Sequence, residues 1–276
     1  MFESLKWTDD GLMLGDLIFR IEQSQMESCS VRDNCFMLFK TRGIIEQYAS
    51  FFQKRWPSGT GEQVKNIVEL GIWDGGSLVL WNEYFRPKKY VALDYSNRGD
   101  SEYFKLYKKT RKLEGSIQTY WGVDQANSKR VQEIMRQEFD EPIDLIIDDA
   151  SHQYLGTKAS FETLFPLLRP GGLYIIEDWA WGCWRDPNAA YDPKFVVAGH
   201  PKHFLSSIYS KKTPLSKLVI EILMVTGSTW LIEEITVCQG FVAVQRSWHQ
   251  LQDFRLDNLL PVNFAMIGQQ PSQDVV

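Results

Sequence analysis

The chain has 276 residues, enough to bury a sizeable core as one large α/β domain carrying an extension. Its 30 Lys plus Arg against 35 Asp plus Glu leave a net charge of -5 and a pI near 5.5, which gives no electrostatic footprint for a nucleic-acid backbone. The four cysteines, Cys29, Cys35, Cys183 and Cys238, form neither a CxxC pair nor a disulfide framework, which fits a reducing cytoplasm and argues against a cysteine-held zinc.

The first residues, MFESLKWTDDGLM, carry acids where a signal peptide has a basic flank and an apolar core, and no later run reaches the length of a membrane span. A soluble cytoplasmic protein is expected, with no membrane partner. Residues 1–63 show no clear β alternation, while Phe36, Phe39, Ile44, Ile45, Tyr48, Phe51 and Phe52 recur at roughly helical spacing, so a helical extension is predicted. It covers the sheet edge, closes over the site as a lid or forms a homo-oligomer contact. Pro57 to Gly61 reads as the loop that ends it.

From residue 64 to about 248, apolar runs of strand length alternate with longer helical segments, the pattern of a parallel sheet with helices on both faces. Ile67–Leu70, Tyr90–Leu93, Ile117–Trp121, Ile143–Ile147 and Leu173–Ile176 are predicted strands, and Ser77–Phe85 and Asn127–Phe139 are helical. A helix over Pro214–Val225 precedes a terminal antiparallel hairpin, Leu231–Val237 with Phe241–Val244, turning at Cys238-Gln239-Gly240. The expected architecture is thus a Rossmann-like, seven-stranded, mostly parallel sheet. Residues 181–215 follow a strand that ends in acids and lack periodicity, which suits an active-site loop. The tail, 249–276, is partly apolar at its start and docks on the surface before its polar end frays.

Two features carry chemistry. Between the first strand and its helix lies Glu69-Leu70-Gly71-Ile72-Trp73-Asp74-Gly75-Gly76-Ser77, whose glycines let backbone approach a small molecule. Asp94 closes the next strand, where an acid suits ribose hydroxyls. NAD and S-adenosylmethionine share that ribose, so an NAD-dependent oxidoreductase stays open at this point, although Trp73 stands where a dinucleotide turn has its second glycine. The second feature is a pair of acid-ended strands: Asp148 and Asp149 after one, Glu177 and Asp178 after the other, with His152 three residues beyond Asp149. Asp149, Glu177 and Asp178 form an all-oxygen set suited to a hard cation such as Mg2+. A non-catalytic binding protein with this fold is a further alternative, against which the acids and His152 argue.

These segments, with Gly122-Val123-Asp124-Gln125 and Arg169-Pro170-Gly171-Gly172, in this order and spacing, resemble class I S-adenosylmethionine-dependent methyltransferases. More closely they resemble the metal-dependent macrolide-sugar O-methyltransferases of the macrocin and mycinamicin type and the related cephalosporin-tailoring enzymes. The resemblance covers about residues 64–180 and, more weakly, the hairpin. It implies that Gly71, Gly75, Gly76 and Ser77 lie along the methionine part of the cofactor, with Glu69 holding that region. Asp94 takes the ribose hydroxyls, Asp124 and Gln125 flank the adenine, and Asp148 closes the cofactor side. It also implies Asp149, Glu177 and Asp178 as Mg2+ ligands and His152 as general base, acting on a hydroxyl of a sugar or polyketide-like small molecule. Trp179, Trp181 and Trp184 offer flat faces on which such a substrate could stack, and equally could be core or interface residues.

Overall fold

The structure, a computed structural model, describes residues 5–21, 35–56, 64–180, 213–251 and 253–260. Residues 181–212 of the expected active-site loop, with Trp181 and Trp184, lie outside them, as do residues 57–63 and the tail beyond 260.

The main sheet has seven strands. In chain order they are β5 (Asn66–Leu70), β6 (Lys89–Asp94), β7 (Ile117–Trp121), β8 (Ile143–Asp148), β9 (Leu168–Glu177), β10 (Ile232–Val237) and β11 (Phe241–Arg246). Their order in space is β10-β11-β9-β8-β5-β6-β7. β7, β6, β5, β8 and β9 are mutually parallel, and β11 enters antiparallel between β9 and β10. The chain runs outward from β5 through β6 to β7, then returns to the other flank of β5 as β8. The cleft beyond the carboxyl ends of β5 and β8 is therefore the place where such sheets bind ligands.

Alternate strand residues serve two separate cores, as the pleat requires. Ile67, Tyr90, Ala92, Leu145, Ile147, Leu173, Ile175, Phe241 and Ala243 face one; Val68, Leu70, Val91, Leu93, Ile146, Tyr174, Ile176, Val242 and Val244 face the other. The second core is closed by α4 (Ser128–Glu138), α5 (Tyr154–Leu164) and α6 (Ser216–Ser228). Phe254 and Leu256 dock there too, the latter opening the short α7 (Leu256–Leu259), so the tail does pack on the surface at its start. The first core is filled by α2 (Gly76–Phe85), α3 (Glu102–Arg111) and the N-terminal extension.

The extension departs from the expected all-helical form. It holds a four-stranded sheet, β1 (Leu5–Trp7), β2 (Gly11–Leu14), β3 (Leu17–Arg20) and β4 (Phe36–Met37), before α1 (Arg42–Arg55). Strands of two to four residues are too short for alternation to register. The available signal was the two-residue Gly15-Asp16 turn joining Leu14 to its partner Leu17, with Gly15 at φ 63°. α1 itself starts where Thr41 accepts a hydrogen bond from the Ile44 amide, and it buries Ile45, Tyr48 and Phe52 on one stripe. Tyr48 stacks on Phe241, their ring centroids 4.2 Å apart, which anchors α1 over β11.

Candidate active site

A cavity of about 510 Å³ opens at the carboxyl ends of β5, β6 and β8. Gly71, Gly76, Ser77, Asp94, Asp124, Gln125, Asp149, His152 and Asp178 all line it, so nine residues expected from widely separated stretches meet at one place.

The glycine turn forms the floor. Gly71 has φ 95°, and a Cβ there would stand 2.2 Å from the Asp149 carbonyl oxygen, so the β5 and β8 ends can approach only with glycine at this position. Asp94 holds the turn in shape: Oδ2 accepts from the amides of Ile72 (2.8 Å) and Trp73 (2.9 Å), and Oδ1 accepts from that of Ser96 (2.7 Å). Trp73 sits at φ 47°, a conformation costly for a bulky side chain and characteristic of functional turns. Its ring meets Phe39 edge-on at 5.5 Å, and the Arg98 guanidinium lies 5.8 Å from its centroid.

The acid pairs are divided by strand parity. Asp148, still within β8, faces the second core, where Ser160 Oγ (2.6 Å) and Tyr174 OH (2.7 Å) donate to Oδ2. Burial raises its pKa, opposed by those hydrogen bonds. Asp148, Glu69 and Gly75, three of the residues expected near the cofactor, are not among those that line the cavity. Gln125 links the two levels: Nε2 donates to Ser160 Oγ (3.1 Å), and Oε1 accepts from the Ser151 amide (2.9 Å).

Glu177, the last residue of β9, has the opposite parity. Its side chain faces the first core, buried beneath the extension, where Tyr48 OH donates to Oε1 (2.7 Å) and Lys40 Nζ to Oε2 (2.6 Å). Asp149 and Asp178 lie one residue past their strands and turn into the cavity. Among the described residues, Asp149, His152 and Asp178 form a group whose candidate ligand atoms all lie within 4.8 Å of one another. His152 Nε2 stands 3.6 Å from Asp149 Oδ1 and 3.8 Å from Asp178 Oδ2. Of the three expected carboxylates, Asp149 and Asp178 thus stand beside His152, while Glu177 is engaged by Lys40 and Tyr48 of the extension. His152 (φ 51°) and Asp178 (φ 53°) are both in the left-handed region, so this geometry is maintained against backbone strain.

Lys40 was not foreseen from the sequence. It follows β4, is 4% exposed, and donates to Asp149 Oδ2 as well as Glu177 Oε2, each at 2.6 Å. Burial disfavours its ammonium, but Asp149 and Glu177 outweigh that and hold the pKa well above the ordinary lysine range. Burial, then the Asp149 charge, raises Glu177 against the pull of Lys40. Met37 and Phe39 join Lys40 in the cavity wall, so the extension is part of the site. Trp179, for which substrate contact and a core position were both open, donates from Nε1 to the Cys238 carbonyl (2.9 Å) and packs on the second core.

The strand order is that of a Rossmann-like sheet closed by a terminal antiparallel hairpin, and residues 68–179 match the family model described as a methyltransferase domain. The chain is similar to sugar O-methyltransferases of macrolide biosynthesis. Demethylmacrocin O-methyltransferase of Streptomyces fradiae is 30% identical over 182 residues, covering 62% of this chain and 42% of that one. Mycinamicin VI 2''-O-methyltransferase of Micromonospora griseorubida is 28% identical over 159 residues, covering 55% and 36%. A solved structure of the MycE methyltransferase from the mycinamycin pathway, in complex with Mg, SAH and mycinamycin VI, is 25% identical. It covers 72% of this chain and 49% of that one, with a TM-score of 0.49. The chain spans less than half the length of the curated relatives it matches. Among the described residues no helix is long and apolar enough to cross a membrane.

Proposed function

We propose that this protein is an S-adenosylmethionine-dependent, Mg2+-supported O-methyltransferase acting on a hydroxyl of a sugar or related natural-product scaffold. The observation that carries the reading is the meeting, in one cavity, of a glycine turn with the Asp149, His152 and Asp178 donors. The relatives are O-methyltransferases of glycosylated small molecules, which supports the substrate class.

The residues suit both groups. The carboxylates of Asp149 and Asp178 suit a hard cation and leave it several positions for further oxygens, with the His152 imidazole beside them kept for the proton. Gly71, Ser77, Asp94 and Gln125 line a cavity whose volume falls in the range of small-molecule sites, with Asp124 exposed at its rim. When bound, S-adenosylmethionine supplies the methyl group and the cation lowers the pKa of the acceptor hydroxyl.

The remaining chemistry belongs to the chain. The glycine turn, fixed by Asp94, seats the donor. Asp149 and Asp178 orient His152 by their charge, and His152 takes the hydroxyl proton as general base. Holding the acceptor oxygen about 3 Å from the methyl carbon and in line with its bond can remove on the order of 7 to 11 kcal/mol of barrier.

The test is calorimetric. S-adenosylhomocysteine is titrated into chelator-treated protein, then Mg2+ into the product complex, for wild type and Asp149→Ala. Both should bind wild type, and only the Mg2+ step should vanish in the variant. Absence of S-adenosylhomocysteine binding, with tight binding of NADH, would replace this reading by the oxidoreductase one.

A further inference from the structure

His152 lies in the short link, residues 149–153, that joins β8 to α5, and its φ of 51° is a conformation that the surroundings must hold in place. On the strand side two bonds fix the link. The Asp149 amide donates to the Leu70 carbonyl (2.9 Å), and the Ser151 amide donates to Gln125 Oε1 (2.9 Å). On the helix side the usual device is not used: Gln153, at the start of α5, makes no capping bond through its side chain, and the first turn holds no acid.

α5 is pinned sideways instead. Tyr154, its first residue and the second after His152, is buried, and its OH donates to Glu221 Oε1 of α6 (2.7 Å). Lys158, one turn further on, donates to the same hydroxyl (3.2 Å) and stands 3.3 Å from Glu221 Oε2. Glu221 is 2% exposed, on the face of α6 that also buries Leu218, Val219, Ile222 and Val225. Stability alone does not account for a carboxylate there, because apolar side chains of similar volume in place of such a buried pair often leave a protein no less stable. What the carboxylate supplies is direction. It fixes where the Tyr154 ring points, and the first helical turn carries that constraint to the residue two positions earlier.

We infer that Glu221, acting through the Tyr154 hydroxyl, is a positioning residue for His152, holding the left-handed turn that brings the imidazole beside Asp149 and Asp178. The inference rests on the proposed function for the use made of the imidazole; the placement stands apart from it. Lys158 also pairs with Asp257, so its charge stays compensated when that of Glu221 is removed.

The experiment labels the full chain with [15N]histidine and follows the His152 ring signals by NMR, identified as those that vanish in His152→Asn. The other histidines, His200, His203 and His249, are internal references. Glu221→Gln keeps an oxygen for Tyr154 to donate to, and its His152 signals should coincide with those of wild type. Glu221→Leu and Tyr154→Phe each delete the bond, and in both the His152 signals should shift or double while the reference signals stay. Wild-type His152 signals in folded Glu221→Leu and Tyr154→Phe would overturn the inference, even with a lowered melting temperature, since Glu221 would then support the fold and nothing more. Signals in Glu221→Gln displaced as far as those in Glu221→Leu would overturn it too, because the route through the hydroxyl would be wrong. If Glu221→Leu fails to fold, Tyr154→Phe, which loses a single oxygen, decides. The ring signals are read without cofactor, whereas failure of the proposed function shows in wild type that binds no S-adenosylhomocysteine by calorimetry, so the two failures are told apart.

Discussion

Replacing Glu69 with Gln should flatten the pH dependence of stability between pH 5 and pH 8. Glu69 is fully buried in β5 on the sheet face beneath the extension, and Tyr90 OH donates to its Oε2 at 2.7 Å. Burial pushes its pKa from 4.5 up to about 7; the Lys40 charge and the Tyr90 hydrogen bond oppose that push without cancelling it. Because the folded value is the higher one, the native state binds the proton more tightly, and the resulting stability is complete below about pH 4.5 and lost as pH rises through about 7. A rise of this size at roughly 1.4 kcal/mol per tenfold amounts to about 3 kcal/mol, of which about 2 to 3 kcal/mol falls between pH 5 and pH 8. Gln carries no charge at either pH, so the variant's stability relative to wild type should increase by that amount across the interval. Urea denaturation of both proteins at half-unit pH steps measures it. Parallel stability curves for the two proteins would refute the assignment of a buried, easily protonated carboxyl at this position.

Two further outcomes test the geometry. A Cβ on Gly76 would stand 1.8 Å from the Met37 carbonyl oxygen, so Gly76→Ala must push β4 off α2, with an expected loss of about 1 to 3 kcal/mol in the same denaturation assay. No loss would mean that the extension does not seat against the glycine turn. For His152→Asn, which keeps a side chain tolerant of positive φ, kcat should fall by roughly 10² to 10⁴ while S-adenosylhomocysteine affinity by calorimetry stays within about twofold. A matching loss of cofactor affinity would make His152 a structural residue.

The parallel sheet was legible because its strands are long enough to show an apolar pattern and its helices long enough to show theirs. The site was legible wherever a residue's role depends on lying at or just past a strand end, as for Gly71, Asp94, Asp149 and Asp178. It was obscured where one residue of register decides the matter. Asp148 and Asp149 are neighbours in sequence, yet the pleat sends the first into a hydrogen-bonded core network, and the chain turns the second into the cavity. The same step separates Glu177 from Asp178. Which acid a buried lysine claims depends on the docking of a distant segment, and a single lysine before a helix carries no local mark of that. The extension's short strands were missed for the reason of length alone, although the Gly15-Asp16 turn announced one hairpin.

Lys40 lies 109 and 137 residues ahead of the two carboxylates it joins. During synthesis the ammonium is made before its counter-charges, which exist only after β8 and β9 have been made and paired. Such distant pairings are slow, since the chain must be closed into a long loop before any contact compensates the lost freedom. The Lys40 side of the cavity wall therefore waits on strands made after it, and β4 and α1 stay without those partners until β8 and β9 have emerged.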